Sequence, residues 1–141
     1  MGTEPHISQT KVRVRYAETD QMGVVYHANY FIWFEVGRVE LMRQAGLDYR
    51  DMEREEGCLV VVVEATARYK SPARYDNELT IHTHIRSVRG SIIRFAYQIT
   101  YCETLLCEGE TTHIVVGRDM KRKPLPEKYA KRFADLAHPM E

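Results

Sequence analysis

Residues 29–46 read N-Y-F-I-W-F-E-V-G-R-V-E-L-M-R-Q-A-G and predict the one long helix of the chain. Asn29 stands where an N-cap residue belongs, and Gly46 supplies a stop after the run from Tyr30 to Ala45. The start of that run is apolar around most of its circumference, whereas a surface helix carries a single apolar stripe. We therefore expect other structure to surround this helix.

Strand-like segments lie on both sides of the helix in the sequence. Residues 11–16 alternate as K-V-R-V-R-Y, with Val12, Val14 and Tyr16 on one face. A shorter helix is predicted at Tyr49–Glu55. It is followed by strands over residues 58–70, 79–88, 93–101 and 106–116, which are joined by turns at 71–77 and 89–90. A helix followed by consecutive strands predicts an α+β fold, an antiparallel sheet wrapped around one long central helix.

The chain of 141 residues has the size of a single domain and contains neither internal repeats nor a linker. We predict one domain over residues 1–141, with a core at about residues 11–118 and a C-terminal tail over 119–141. A short helix is predicted in the tail near residues 127–136.

The composition excludes several classes of protein. Hydrophobic residues make up 44% and charged residues 28%, as in ordinary globular domains. Twenty basic and 20 acidic residues give zero formal charge, which predicts no nucleic-acid partner. The longest apolar run, residues 59–63, is too short for a membrane span, and the N-terminus lacks the apolar core of a signal peptide, so we predict a cytoplasmic protein.

The three cysteines, Cys58, Cys102 and Cys107, form no CxxC pair and are odd in number. This argues against a disulfide framework and is typical of a reducing compartment. Each cysteine lies in or beside an apolar segment, which predicts a small buried side chain in each case.

The segment with candidate catalytic residues is Y-A-E-T-D-Q-M-G-V-V-Y-H-A-N-Y, residues 16–30. It places the carboxylate of Asp20 and the imidazole of His27 in a loop that runs into a helix N-terminus. The first N–H groups of a helix have no intrahelical partner, so they can polarise a carbonyl, and a nearby carboxylate can attack that carbonyl or activate a water. By spacing alone, the pattern is more typical of a turn or capping aspartate and a hydrogen-bonding surface histidine than of a catalytic pair.

The string from Tyr16 to Glu35 resembles the signature of the 4-hydroxybenzoyl-CoA thioesterase family, most closely its YbgC-like acyl-CoA thioesterase branch. Residues 69–79, Y-K-S-P-A-R-Y-D-N-E-L, and residues 109–111, G-E-T, resemble the same family. The resemblance covers about residues 12–117. It implies the hotdog fold, hydrolysis of an acyl-CoA thioester to a free acid and CoA, and a homodimer or homotetramer whose active sites are shared between chains.

The resemblance also assigns roles to individual residues. Asp20 matches the essential carboxylate of the family, which acts as nucleophile or as general base. His27 matches the histidine of the YbgC-like branch, and its backbone N–H lies where the thioester carbonyl is polarised. Tyr26 and Asn29 match residues that shape and cap the helix start.

Because CoA carries phosphates, the predicted site needs local cations. The candidates are Lys70 and Arg74 near the Pro72 loop, Arg86 and Arg89 beside the 89–90 hairpin, Arg94 just after it, and the cluster at residues 121–123. No metal or other cofactor is predicted: His82 and His84 have metal-compatible spacing, but no third ligand is placed near them.

Two other functions stay open at this point. One is a hydratase or dehydratase acting on enoyl thioesters through Asp20 and His27. The other is a non-catalytic subunit that binds an acyl thioester or an acyl carrier protein. The sequence leaves open which acyl group is carried, and whether CoA or a carrier protein carries it.

Overall fold

The structure is a computed structural model that describes residues 6–137. Three helices and one sheet account for most of the described residues. The elements are β1 Ser8–Arg13, a 3-10 turn at Tyr16–Glu18, α1 Asn29–Gln44, α2 Tyr49–Glu56, β2 Leu59–Tyr69, β3 Glu78–Arg89, β4 Ile92–Tyr101, β5 Thr104–Val116 and α3 Glu127–Ala137. The predicted α+β class and the order of the elements are confirmed.

The five strands form one antiparallel sheet in the order β1-β3-β4-β5-β2. Strands β3, β4 and β5 follow one another directly, so tight turns join them. Strand β2 enters at the far edge and pairs only with β5, while β1 pairs only with β3. The sheet therefore has two edges, one formed by β1 and the other by β2.

Helix α1 lies across one face of this sheet. Its buried residues fall on one side of the helix: Tyr30, Trp33, Phe34, Gly37, Leu41 and Met42. Phe34 stacks on Tyr97 of β4, with ring centroids 4.4 Å apart. A Cβ atom at Gly109 would lie 2.6 Å from the Phe34 ring and would overlap the carbonyl oxygen of Thr66. The helix approaches this closely because β5 carries no side chain at that position.

Alternation along β4 places its apolar residues against the helix. Ile93, Phe95, Tyr97 and Ile99 are buried on one face, as their spacing of two predicts. This face, with α1, forms the core of the molecule.

The opposite side of α1 corrects one prediction. Within the chain the helix is not surrounded, because Ile32 is 54% exposed, Val36 38% and Val39 45%. These three residues lie four and three positions apart and form an apolar stripe along the solvent side of the helix. The apolar circumference that suggested enclosure thus divides into a face on the sheet and a face left uncovered by the chain itself.

The predicted N-cap of α1 is also wrong. Ala28 holds the N-cap position, and Asn29 is already helical. The Asn29 side-chain amide instead donates to the backbone carbonyl of Glu18, 2.9 Å away. The same side chain that could have capped the helix therefore ties its start to the preceding loop.

Two further expectations fail near chain turns. β1 ends at Arg13, and Tyr16 lies in the 3-10 turn with 78% of its side chain exposed. Cys58 and Cys107 are buried as expected, but Cys102 is exposed at the β4–β5 turn, where its φ of 47° is in the left-handed region. A turn, which needs that conformation, overrides the apolar neighbourhood of Cys102 in the sequence.

Candidate active site

A small two-stranded loop presents Asp20. Thr19 and Val25 form an antiparallel bridge, and the Asp20 N–H donates to the Val24 carbonyl at 2.8 Å. Gly23, with φ of 83°, allows the tight reversal. One carboxylate oxygen of Asp20 accepts the Met22 N–H at 2.9 Å, and among residues 6–137 no group donates to the other oxygen. The carboxylate is therefore oriented by the turn and keeps one oxygen for a ligand.

The backbone of Glu18 fixes the start of α1. Its carbonyl oxygen accepts the Tyr26 N–H at 2.9 Å and the Asn29 side-chain amide at 2.9 Å. Tyr26 and Asn29 were predicted to shape the helix start, and both make that connection. Asp20 and α1 are consequently held by one short segment of chain.

The loop after β2 forms the opposite wall. Val24 bridges to Arg74, the Val25 N–H donates to the Ala73 carbonyl at 2.9 Å, and the Ala73 N–H donates to the Tyr30 hydroxyl at 3.2 Å. These bonds join two segments that are about 50 residues apart in the sequence.

Together these segments enclose a pocket of about 330 Å³. Its lining residues are Asp20, Val24, Val25, His27, Tyr30, Tyr69, Lys70, Ser71 and Pro72. The ring of His27 lies between two aromatic rings, with centroid distances of 4.5 Å to Tyr26 and 6.4 Å to Tyr69. Asp20 and His27, chosen from the sequence, thus share one pocket.

The backbone at the start of α1, beside this pocket, contains both bonded and unbonded N–H groups. The Asn29 N–H donates to the Tyr26 carbonyl at 2.9 Å and the Phe31 N–H to the Ala28 carbonyl at 3.2 Å. Within the described part of the chain, the N–H groups of His27 and Ala28 donate to no protein acceptor. Two consecutive N–H groups at a positive helix end can bind the oxygen of a polarised carbonyl.

Of the candidate cations named from the sequence, Lys70 alone lines this pocket. Its ammonium lies 3.8 Å from the Glu108 carboxylate. Arg74 is exposed on the adjacent loop, and its backbone N–H donates to the side chain of Asn77 at 2.8 Å.

Arg86 and Arg89 lie elsewhere in the chain. They occupy the far half of β3, whose 11 steps from Glu78 to Arg89 span roughly 36 Å at about 3.3 Å per residue. Arg86 forms an ion pair with Glu110 on the outer face of the sheet. Neither arginine can therefore reach the Asp20 pocket of its own chain.

Other chemistry suggested by the sequence finds little support. No three His, Cys, Asp or Glu side chains in residues 6–137 approach closely enough to hold a metal ion. The Arg38 guanidinium donates to the Tyr97 hydroxyl at 3.0 Å. Burial raises the pKa of the Cys107 thiol to about 12, so this cysteine is a poor nucleophile.

A polar chain crosses the core below α1. Tyr97 accepts from Arg38, and its hydroxyl lies 2.6 Å from the Thr111 hydroxyl, which lies 2.8 Å from Nε2 of His113. Arg38 can only donate, so Tyr97 accepts from it, whereas the directions of the other two bonds depend on the tautomer of His113. Burial and the Arg38 charge lower the pKa of His113 to about 3, so the imidazole is neutral.

No helix within residues 6–137 has the length and apolar character to cross a membrane.

The family model of the thioesterase-like superfamily matches residues 14–133. The chain belongs to this superfamily. The protein YneP of Bacillus subtilis is 39% identical over 131 residues, 92% of each chain, and the acyl-CoA thioester hydrolase YbgC of Escherichia coli is 38% identical over 86% of this chain and 92% of its own. The DHNA-CoA thioesterase structure from Staphylococcus aureus superimposes with a TM-score of 0.87 at 30% identity, over 92% of this chain and 90% of that one. The resemblance to the YbgC-like branch and the hotdog fold are confirmed.

Sequence reasoning about this superfamily member missed two aromatic residues of the pocket, Tyr30 and Tyr69. Tyr30 is buried, with 3% of its surface exposed, and its hydroxyl bonds the opposite loop. Tyr69 bonds the backbone of His27. A signal was present, because Tyr69 opens the second family-like segment and ends the alternating pattern of its strand. A pattern within one strand, however, does not show that its last residue meets a loop 42 residues earlier.

Proposed function

We propose that the chain hydrolyses acyl-CoA thioesters and that Asp20 is its catalytic carboxylate. The observation that carries this proposal is the shared pocket: Asp20, with one unbonded carboxylate oxygen, lines the same cavity as His27 and Tyr30 at the start of α1. Acyl transfer needs both a nucleophile or base and a donor for the developing oxyanion.

The proposed reaction begins with the thioester oxygen bound to the N–H groups at the start of α1. Asp20 then acts in one of two ways. It attacks the carbonyl carbon, which expels the CoA thiolate and leaves a mixed anhydride that water hydrolyses. Alternatively, it takes a proton from a water that attacks the same carbon. Either route yields a carboxylic acid and a thiol, and we propose that the imidazole of His27, which lines the pocket, gives a proton to the leaving thiolate.

The names of the relatives support hydrolysis over the two alternative functions. YbgC of E. coli is named an acyl-CoA thioester hydrolase, and the S. aureus neighbour is named a DHNA-CoA thioesterase. No contact in the structure favours hydration of an enoyl thioester or a purely binding role. The same names favour CoA over an acyl carrier protein as the thiol carrier.

We also propose that the active form is a homodimer joined along β2. Val62 and Val63 of this edge strand are 50% and 53% exposed, and Val39 of the uncovered α1 stripe lines one groove with Val60 and Val61 of β2. By contrast, the β1 edge carries Lys11 and Arg13, charges that discourage pairing with another strand. A second copy would satisfy the free edge of β2 and cover the apolar surface. Two such dimers would form the tetramer.

Dimerisation through β2 would bring a basic cleft to the Asp20 pocket. Arg118, Lys121, Arg122 and Lys123 line a cleft of about 350 Å³ beside Gly57, at the start of β2. Among the described residues none of the four pairs with a carboxylate. Three of the side chains donate to neutral groups: Arg118 to the Glu53 carbonyl, Lys123 to the Glu56 carbonyl and Arg122 to the Ser91 hydroxyl.

The cleft and the pocket lie at opposite ends of β2, roughly 33 Å apart over ten steps of about 3.3 Å. An antiparallel β2–β2 pair would therefore place the cleft of one subunit beside the pocket of the other. We propose that these cations hold the CoA phosphates. The 89–90 hairpin adjoins the cleft through Ser91, so Arg89 would approach the substrate from the partner as well.

The cytoplasm is the compartment we propose, since Cys58, Cys102 and Cys107 are all free thiols.

An assay of thiol release with Asp20→Asn tests the catalytic assignment. The substrate panel contains short and long aliphatic acyl-CoAs, DHNA-CoA and an acyl carrier protein thioester. Asparagine keeps the size of the side chain and can still accept the Met22 N–H, so we expect the fold and substrate affinity to persist while kcat falls by at least about 100-fold. Asp76→Asn, on an exposed turn, is the matched control. Full activity of Asp20→Asn would refute the assignment, and an absence of turnover with every thioester would refute the proposed function.

A further inference from the structure

Tyr69, the last residue of β2, joins the sheet to the start of α1. Its hydroxyl lies 3.0 Å from the carbonyl oxygen of His27. A carbonyl oxygen only accepts, so the tyrosine hydroxyl is the donor. The side chain is 47% exposed and lines the Asp20 pocket. The reaction proposed above assigns it no role.

The bond reaches one specific peptide group. The carbonyl of His27 and the N–H of Ala28 belong to the same peptide, and that N–H is one of the two donors left free at the helix start. The neighbouring peptide has the same arrangement: the Tyr26 carbonyl accepts the Asn29 N–H at 2.9 Å, while the His27 N–H is free. In each peptide the oxygen is bonded and the N–H is available.

Such an arrangement strengthens the free donors. A hydrogen bond to the oxygen of an amide polarises the group and makes its N–H a better donor. Within the helix, the Tyr30 N–H reaches the His27 carbonyl only at 3.4 Å, which is a long hydrogen bond. The Tyr69 hydroxyl, at 3.0 Å, is therefore the closer donor to this oxygen.

Neighbouring aromatic rings hold the Tyr69 ring in place. It packs edge-on against Tyr30, with centroids 5.2 Å apart, and edge-on to His27 at 6.4 Å. Tyr30 is buried and anchored by its bond from Ala73. Burial also raises the pKa of Tyr69, which keeps the hydroxyl protonated as a donor. Tyr69 also ends strand β2, whose last residues pair with β5, so its backbone is fixed by the sheet.

We propose that Tyr69 is a positioning residue for the oxyanion site: by donating to the His27 carbonyl it orients the His27–Ala28 peptide and strengthens the Ala28 N–H that binds the thioester oxygen. This inference rests on the proposed function. It makes Tyr69 act through the backbone and not by contact with the substrate. The effect belongs to the transition state, in which the oxygen carries more charge than in the bound thioester.

Tyr69→Phe removes the hydroxyl and keeps the ring. We expect kcat to fall about tenfold, less than the roughly 100-fold or greater loss that follows removal of a direct oxyanion donor. KM should change less than twofold. Tyr75→Phe is the matched control, because Tyr75 is 58% exposed and its hydroxyl makes no hydrogen bond in residues 6–137; its kinetics should equal those of the wild type.

Infrared spectroscopy gives a readout that a structural role would not move. A thioester labelled with ¹³C at its carbonyl is bound to Asp20→Asn, in which the expected slow turnover leaves time to record the spectrum. Polarisation lowers the carbonyl stretching frequency. We expect this frequency to be higher in Asp20→Asn/Tyr69→Phe than in Asp20→Asn, while the two proteins unfold at the same temperature.

An unchanged kcat and an unchanged carbonyl frequency in the Tyr69→Phe proteins would overturn the proposal. So would a rise in KM at constant kcat, which would make Tyr69 a substrate contact. If Tyr69→Phe unfolds at a lower temperature than the wild type, the carbonyl frequency is measured on the double variant at a temperature where it is folded. A frequency equal to that of Asp20→Asn then overturns the proposal, and a higher one supports it. These outcomes are separate from failure of the proposed function, which appears as full activity of Asp20→Asn.

Discussion

His113 makes the stability of the protein depend on pH. The imidazole is 1% exposed, its Nε2 is bonded to Thr111, and its Nδ1 is buried without a partner in the described structure. Its pKa falls from an ordinary 6.5 to about 3 on folding, because burial and the Arg38 charge disfavour the imidazolium. In the unfolded chain the ring is protonated below about pH 6.5. Acid therefore favours unfolding. The contribution of the neutral His113 ring to the free energy of unfolding is fully present above pH 6.5 and is lost progressively as the pH falls toward 3.

The two pKa values determine the size of the effect. Between pH 6.5 and 3 the slope approaches about 1.4 kcal/mol per pH unit. At pH 5 the folded ring is still neutral while most unfolded rings are charged, which corresponds to a loss of about 2 kcal/mol relative to neutral pH. This figure changes little if the folded pKa is one unit higher.

Urea unfolding of wild type and His113→Gln, at pH 7.5 and pH 5 and one protein concentration, measures this term. Glutamine fills part of the site and cannot titrate. We expect it to lower stability at both pH values but to reduce the difference between them by about 2 kcal/mol. His84, whose pKa is also lowered by burial and by Arg86, is present in both proteins and cancels. An equal pH difference in the two proteins would refute the reasoning.

Three other predictions address packing, assembly and binding. Gly109→Ala should cost about 2 kcal/mol of unfolding free energy in urea titrations, because its Cβ meets the Phe34 ring at 2.6 Å and the strand must shift; a neutral result would contradict the close contact. Val63→Asp should convert the proposed dimer to monomers in sedimentation and lower kcat/KM at least about tenfold, whereas Ile7→Asp at a similarly exposed site should do neither. Arg122→Ala should raise KM for acyl-CoA about tenfold and leave acyl-pantetheine, which lacks the nucleotide phosphates, unaffected; equal effects on both substrates would exclude a phosphate contact.

The sequence was sufficient for the elements that depend on local pattern. Alternation of period two predicted β4 within one residue and placed Ile93, Phe95 and Ile99 in the core. The shorter helix predicted at Tyr49–Glu55 is observed at Tyr49–Glu56, where Gly57, with φ of 65°, ends it. These features depend on backbone conformation and side-chain direction, which neighbouring residues determine.

The site was predictable only in part. Asp20 and His27 lie seven residues apart, so one loop brings them together and a family-like string identifies them. Arg86 looked equally suitable, yet β3 carries it to the far half of the sheet, where Glu110 pairs with it. A cation near a hairpin in the sequence carries no information about which end of a strand holds the pocket.

The sequence by itself determined the α+β class, the order of the strands along the chain and the position of a carboxylate in the loop before the N-terminus of the long helix. The tertiary structure decided what that carboxylate meets. Sheet pairing brings Tyr69 onto the His27 carbonyl and Ala73 onto the Tyr30 hydroxyl. The same packing divides α1 into a buried face and an uncovered one, which its composition alone had made look enclosed. The physical reason is that periodicity reports only a residue's neighbours along one element, whereas a site forms from contacts between elements distant in the sequence.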